Sequence, residues 1–473
     1  MLHLLLATVL VFAPGSSTSA SYEEDGRDKV TLKNGKVVPC RVIQNHDEEY
    51  LYYREPGKVA PTRQKRTDIA SVGLLVRNRI DSWLNLRKPG QTSEQRWKVL
   101  EAALAADMPA LARLQAYDIL CDDPGFVPAH LLLGHEEKRS GWMWSLDTTG
   151  EKDGTSKKVK HVSAEDFHAR ILERPNGLVL VSENYRFETN TSLRLAVDLL
   201  FDLERTYCTW LEVFGEDLVA AESVWNLGHQ MVVRVYSSAT EGFTENRTSE
   251  RFPYYSASVF NSIASSPNVV FTYLENPTDA RPLQFFDLAI QQLMYTTLGL
   301  GHKRAAPPAI EPDHWAHWVE LGFGWYMEQG FSGLPGYAKY NKPVGGAGFV
   351  LPKELANYAT LRAGDRTLHR SNKEVTHIAS MEWRRFYILG LDGEIHRAKA
   401  RTLVAYLITQ NPPALTRGNK DSGVEALPAL LCYLRGAFLD PKSHSTSEFD
   451  KCLNGKIEGF APGWREWVRK FAI

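Results

Sequence analysis

A surplus of charge of either sign is missing from this chain. Its 55 Lys and Arg nearly balance its 56 Asp and Glu, leaving a net charge of -1. A nucleic-acid-binding chain carries a basic surplus or stripe for the phosphates, so no nucleic-acid partner is expected. Long apolar runs are also missing after residue 20, where none approaches the ~20 residues a bilayer-spanning helix needs. No transmembrane segment is therefore expected after the leader. Cysteine is scarce, with Cys40, Cys121, Cys208, Cys432 and Cys452 spaced too widely for a metal motif or a dense disulfide framework. Cys432 and Cys452 share a C-terminal helical region and could pair, while the odd count leaves at least one free thiol. Most of these cysteines are expected to be small buried apolar residues. There is no Gly-x-Ser-x-Gly elbow and no phosphate-binding loop. Gly345-Gly346-Ala347-Gly348 follows a Tyr/Lys/Pro loop rather than a strand, and reads as a flexible loop.

What is present begins with a leader. Leu4 to Ala13 form an apolar run, followed by Pro14-Gly15-Ser16-Ser17-Thr18-Ser19-Ala20. An apolar stretch ending in small residues is the pattern of a cleaved export signal. The expected mature protein starts at Ser21 and is periplasmic or extracellular. His3 is the only basic residue ahead of the run, and the alternative is an uncleaved anchor.

The 473 residues suggest about three domains at ~150 residues each. Residues 21–75 read as a small β-module. Lys29-Val30-Thr31-Leu32, Val37-Val38, Arg41-Val42-Ile43, Tyr50-Leu51-Tyr52-Tyr53 and Asp68-Ile69-Ala70-Ser71-Val72 are short strand signals, and Asn34-Gly35 is a hairpin turn. The set is similar to the SH3-like modules of envelope proteins. Residues 76–145 read as helices, with Trp97, Leu100, Ala103 and Leu104 and then Leu111, Leu114, Tyr117 and Leu120 at helical spacing. Asp123-Pro124 breaks the chain before Ala129-His130-Leu131-Leu132-Leu133-Gly134 resumes it. Two helix pairs so divided resemble a short tetratricopeptide segment. Gly141-Trp142-Met143-Trp144 closes it with aromatics that look exposed. Residues 146–174 read as a polar linker.

The expected fold class is α+β and multidomain, with a zincin-like α+β domain at 175–335 and a helical subdomain at 336–473. Strands are expected at 178–181, 185–189, 231–236 and 269–274. A helix capped by Asn190 or Ser192 is expected to run through Phe214, with two further helices near 281–299 and 313–330.

The stretch from about 178 to 470 resembles the peptidase MA-like group of gluzincin zinc peptidases. In that group one helix carries His-Glu-x-x-His, and a later helix carries a Glu within a Trp-x-x-Glu-Gly-x-Ala-x-Tyr pattern. Two His at i and i+4 share a helix face and bind one zinc, the Glu between them activates water, and the later Glu completes an open site. The first helix here runs Asp287-Leu288-Ala289-Ile290-Gln291-Gln292-Leu293 and shares Ala289, Gln292 and Leu293 with the family. The second runs Trp318-Val319-Glu320-Leu321-Gly322-Phe323-Gly324-Trp325-Tyr326 and shares Trp318, Gly322 and Tyr326. The resemblance puts Asp287 and Gln291 where the histidines belong, Leu288 at the general base and Leu321 at the carboxylate ligand. It therefore implies a pseudoenzyme that has lost its zinc and has no catalytic residues. Ala398 to Leu407, and Phe449, Trp464, Trp467 and Val468, resemble the closing helices, with packing as their expected role.

The plain alternative is an amphipathic core helix with a stripe of Leu283, Phe286, Ile290, Leu293 and Leu298. A second metal reading takes His314 and His317, at i and i+3, with Glu320 one turn on and His302 upstream. The expected function is a non-catalytic peptide- or protein-binding or scaffold protein of the cell envelope. The alternative is a hydrolase with an atypical metal site of Asp287, His314, His317 and Glu320.

Overall fold

The computed structural model describes residues 28–44, 49–55, 62–74, 83, 86–88, 90–150, 160–173, 177–214, 231–238, 240–241, 259–261, 269–274, 276, 279, 281–282, 285–297, 317–332, 359, 374–381, 383–386, 391–410, 426–439, 445–453 and 457–471. The leader, His302, His314 and the 345–348 loop lie outside them.

The N-terminal strands are β1 (Asp28–Leu32), β2 (Val37–Gln44), β3 (Tyr50–Arg54), β4 (Thr62–Lys65) and β5 (Ile69–Leu74). They pair antiparallel in the order β4-β3-β2-β1-β5. Gly35 takes the left-handed φ of 83° that the β1–β2 turn requires, and the Asn34 side chain accepts from the Lys36 amide at 2.9 Å. Side chains two apart share a sheet face, so Val38 and Cys40, Leu51 and Tyr53 converge with Val30 in a core of their own.

Helices α1 (Ser93–Ala105), α2 (Pro109–Asp122) and α3 (Val127–Leu132) follow. Thr92 and Gln95 form a reciprocal capping box at the start of α1. Pro109 opens α2, where its missing N–H costs nothing. The spacing Leu111, Leu114, Tyr117, Leu120 is buried as expected.

From here the structure departs from the sequence reading. There is no second helix pair: α3 stops after six residues at Gly134, whose φ of 72° ends the helix. The chain then forms β6 (Glu136–Lys138), β7 (Gly141–Ser145) and β8 (His161–Ser163), an antiparallel sheet in that order. Trp144 is buried rather than exposed, because strand alternation turns it inward onto Phe167 at 5.0 Å. The expected linker likewise contains β8 and α4 (Ala164–Glu173), with Phe167 and Ile171 in the core.

The second large sheet comprises β9 (Leu178–Val181), β10 (Tyr185–Thr189), β11 (Met231–Tyr236), β12 (Val259–Asn261) and β13 (Val269–Tyr273), in the order β12-β13-β11-β10-β9. β10, β11 and β13 are parallel, and the outer strands are antiparallel to their neighbours. Parallel neighbours need a long crossover, and α5 (Leu193–Phe214) lies in the one between β10 and β11. The Ser192 hydroxyl accepts from the Leu195 amide at 3.3 Å, which selects Ser192 as the cap. Then come α6 (Phe285–Thr297), α7 (His317–Ser332), α8 (Glu374–Ala379), α9 (Trp383–Phe386), α10 (Leu391–Gln410), α11 (Ala426–Leu439), α12 (Ser445–Cys452) and α13 (Ala461–Phe471). The chain is thus mixed α and β, and no described helix is long and apolar enough to cross a membrane.

One apolar core runs from Trp83 through the helices and the second sheet to Val468. A buried ionic node crosses it. Asp118 on α2 pairs with Arg87 at 3.0 Å, Arg96 of α1 at 3.4 Å and Arg194 of α5 at 3.6 Å, and Gln115 donates to it at 2.9 Å. Burial alone would raise the Asp118 carboxyl, but Arg87, then Arg96 and Arg194, outweigh it and hold it below the usual range. Arg87 also lies over the Phe201 ring of α5, 3.4 Å from its centroid. Removing a carboxylate shared by three arginines should destabilise the fold by about 3–5 kcal/mol. Urea unfolding of Asp118→Ala should report a loss in that range, whereas a loss under about 1 kcal/mol, as for an exposed pair, would make the node peripheral.

Candidate functional site

The candidate site is the contact between α6 and α7, where the resemblance places a zinc centre. Its frame is set by polar anchors. Arg281, just before α6, donates from Nε to Asp202 of α5 at 3.1 Å, and its guanidinium lies 5.1 Å from the Phe286 ring centroid. Gln292 donates from Nε2 to the Val232 carbonyl of β11 at 3.0 Å, fixing α6 against the sheet. Glu204 of α5 accepts from the Asn184 backbone at 2.9 Å and from its side chain at 2.7 Å, pinning the β9–β10 turn. Burial raises the Glu204 carboxyl, although hydrogen bonds from Ser182 and Asn184 oppose it.

Of the stripe in the plain alternative, Phe286, Ile290 and Leu293 are buried, while Leu283 and Leu298 lie outside the described residues. Residues 285–290 are all buried, including Phe285, Leu288 and Ala289 outside that stripe. The stretch is therefore enclosed on every side, with Asp287 among its apolar neighbours. Helix α7 is enclosed in the same way from Trp318 to Met327. Phe323 packs edge-on against Trp210 of α5 at 5.4 Å. Trp318 donates from its indole N–H to the Tyr433 hydroxyl of α11 at 3.3 Å and lies 5.3 Å from Phe449 of α12. The Cys432–Cys452 disulfide joins α11 to α12 beside these rings. Cys40, Cys121 and Cys208 are in no disulfide, and burial pushes the Cys40 and Cys121 thiols up to about 12.

Two glycines explain how α7 fits. A Cβ on Gly324 would sit 2.0 Å from Asp287 Oδ1 and 2.9 Å from the Asp287 Cα and N, so α6 and α7 touch there backbone to backbone. A Cβ on Gly322 would meet Val404 Cβ at 2.3 Å and the Ala400 carbonyl at 2.8 Å, so α10 makes the same approach from the other side. Helical residues two positions apart are separated by about 200° around the axis. The two glycines therefore serve opposite faces. Sequence reasoning assigned Gly322 only as a family match and gave Gly324 no role. The available signal was two glycines in one apolar helix, each about 1 kcal/mol worse than Ala, which calls for a packing reason.

Four of the expected site residues are placed with their side chains. Asp287, Leu288 and Leu321 are buried, as is Glu320, at 8, 3, 1 and 2% exposure. Leu321 follows Glu320 on α7, and both lie within about 60° of Gly324 by helical phase, on the side that meets Asp287. His317, seven residues before Gly324, falls on the same side by phase. His314, and the side chains of Gln291 and His317, lie outside the described residues. Among the described residues no group of three His, Cys, Asp or Glu is placed to hold a metal ion. The zinc centre of the resembled family does not fit the residues present. Leu288 cannot move a proton, Leu321 cannot ligate, and Asp287 is pressed onto Gly324.

Gly322→Ala and Gly324→Ala should each destabilise the protein by about 1–3 kcal/mol or more through overpacking. The sign is the discriminating feature, since Gly→Ala inside an ordinary helix stabilises by about 1 kcal/mol. Denaturant midpoints rising in either variant would refute the close approach. No family model matches this chain, and no curated protein matches it as a relative.

Proposed function

We propose that this chain is an exported, non-catalytic protein of the cell envelope, a peptidase MA-like frame that serves as a scaffold or a peptide- or protein-binding surface. What carries the reading is the meeting of α6 and α7 at Gly324, on the two helices where the resemblance sets Asp287, Leu288, Gln291 and Leu321 at its four chemical positions. The element order supports it, with strands, α5, parallel strands, and then α6 and α7 packed together. Cys432–Cys452 fits an oxidising compartment. The strand order β4-β3-β2-β1-β5 suits an SH3-like interaction module. With residues 287, 288, 320 and 321 buried, the proposed binding surface moves to the sheet edge. There β12 ends the sheet among the described residues, beside α6, and an extended peptide can pair with such an edge.

One observation favours a second reading. Asp287 and Glu320 are two buried acids on facing helices, with His317 in phase. These residues, with His314, would make an atypical metal site for hydrolysis. Metal content separates the two readings. Purified protein equilibrated with zinc and dialysed should retain less than about a tenth of an equivalent, because an intact three-ligand site holds its ion. It should also leave a broad peptide library uncut. Near one equivalent of zinc, lost in Asp287→Ala, would overturn the non-catalytic reading in favour of the second.

A further inference from the structure

A buried histidine pair sits at the end of α3, far in sequence from α6 and α7. The sequence there is His130-Leu131-Leu132-Leu133-Gly134-His135. Gly134 is left-handed, its amide donates to the Leu131 carbonyl at 3.1 Å, and the His135 amide donates to the His130 carbonyl at 2.9 Å. This is the paired hydrogen-bond pattern of a Schellman C-cap. Such caps normally close with an apolar contact between the two residues that His130 and His135 occupy. Here the contact is a hydrogen bond, with the two Nδ1 atoms 2.7 Å apart.

Chemistry fixes the protons. His130 Nε2 is 2.8 Å from the Pro124 carbonyl, which can only accept, so that nitrogen carries a hydrogen. In the neutral ring its Nδ1 is then the acceptor, and His135 Nδ1 is the donor. His135 Nε2 is left bare, and it is buried with no hydrogen-bond partner among the described residues. The pair is walled by aromatics. Trp142 stacks on His130 at 4.4 Å, and Trp144 lies 4.6 Å from His135.

Either way of adding a proton is unfavourable in this geometry. A proton on His130 Nδ1 sets two N–H groups head to head across 2.7 Å. A proton on His135 Nε2 makes a buried cation with no acceptor. The charged and titratable groups around the pair offer little relief. Arg113 of α2 repels a cation, and Tyr117 of the same helix is a neutral phenol whose hydroxyl burial pushes up. His161 of β8 adds further repulsion; its Nε2 lies 2.9 Å from the Gly134 carbonyl, tying β8 to the cap, and its Nδ1 3.6 Å from Glu136 of β6. Asp147 interacts with Tyr117 and receives Arg113 at its backbone carbonyl, 3.5 Å away, and His168 of α4 lies beyond Trp144 at 5.5 Å.

We propose that His130 and His135 form a proton-operated latch, in which uptake of one proton opens the α3 C-cap and frees the β6–β7–β8 sheet from α2 and α3. The direction follows from linkage. Burial, with His130, Arg113 and His161 adding to it, lowers the His135 imidazole from 6.5 to about 3. Burial lowers His130 too, against the Pro124 hydrogen bond. The open form binds the proton below pH 6.5 and the closed form does not, so closure is strongest above 6.5 and weakens as pH falls toward about 3. Acid opening would uncover Trp142 and Trp144, an aromatic face absent at neutral pH.

Hydrogen exchange of the full chain by mass spectrometry tests this, with rates corrected for intrinsic pH dependence. Between pH 7.5 and 4.5 the amides of 127–145 should lose about tenfold or more in protection, since one site with these two limits gives up to about a hundredfold. Helices α5 and α10 should hold theirs. His130→Leu with His135→Leu restores an apolar cap contact and should keep protection through pH 4.5. His168→Gln leaves the pair and the His161 bond to the Gly134 carbonyl intact, and should keep the acid loss. Undiminished wild-type protection at 127–145 overturns the latch, whether or not the double Leu variant folds. So does a loss shared equally by α5, or a loss abolished in the Gln variant.

Discussion

Helix α7 can occupy the centre of this protein only because two of its residues have no side chain. Gly324 lets α6 approach to backbone contact, and Gly322 lets α10 do the same from the opposite face. Helix axes normally pack 8–10 Å apart, at a distance set by the side chains between them. A glycine at the crossing brings them to the near end of that range. Around α7 stand Trp210 against Phe323, Tyr433 and Phe449 around Trp318, and a disulfide holding α11 to α12. Asp287 and Leu288 on α6, and Glu320 and Leu321 on α7, are all buried in that packing.

The helical segment ahead of the second sheet belongs to the same solid body. Its core is continuous with the one around α7, and Asp118 joins three arginines from different parts of the chain inside it. A buried carboxylate is tolerated only when its charge is answered at close range. The node is therefore as demanding of geometry as the glycines are. It ties the position of α5 to α1 and α2, and α5 in turn holds the start of α6 through Asp202 and Arg281.

Much of this was legible in the sequence, for identifiable reasons. Tyr185–Thr189, Leu193–Phe214 and Met231–Tyr236 carry strong patterns over enough residues to be read, and α5 began where Ser192 could cap it. The elements that escaped were short or polar. β4 reads Thr-Arg-Gln-Lys, and β12 spans three residues, fewer than any periodicity can reveal. The strand at His161–Ser163 follows a lysine-rich stretch, and its neighbour Gly141–Ser145 was read as the end of a helical segment although Trp142 and Trp144 alternate. The histidine cap was hidden for another reason: sequence spacing alone gives no sign that two histidines five residues apart share a proton inside a helix terminus. At the candidate site the close approach at Gly324 needed coordinates, because spacing along one helix does not say which partner helix meets it.

The β-module differs from all of this in one respect. Its apolar interior, Val30, Val38, Cys40, Leu51 and Tyr53, is separate from the large core that runs through the remainder. Cooperativity follows shared burial, so the two interiors are free to come apart at different temperatures. A chain of this kind has no single melting point in the two-state sense. A module this small buries a modest fraction of its surface, and its calorimetric transition would come first and carry the lesser enthalpy. Stability measured by a probe in the β-module would then say nothing about the glycine-centred helices, and the reverse holds equally.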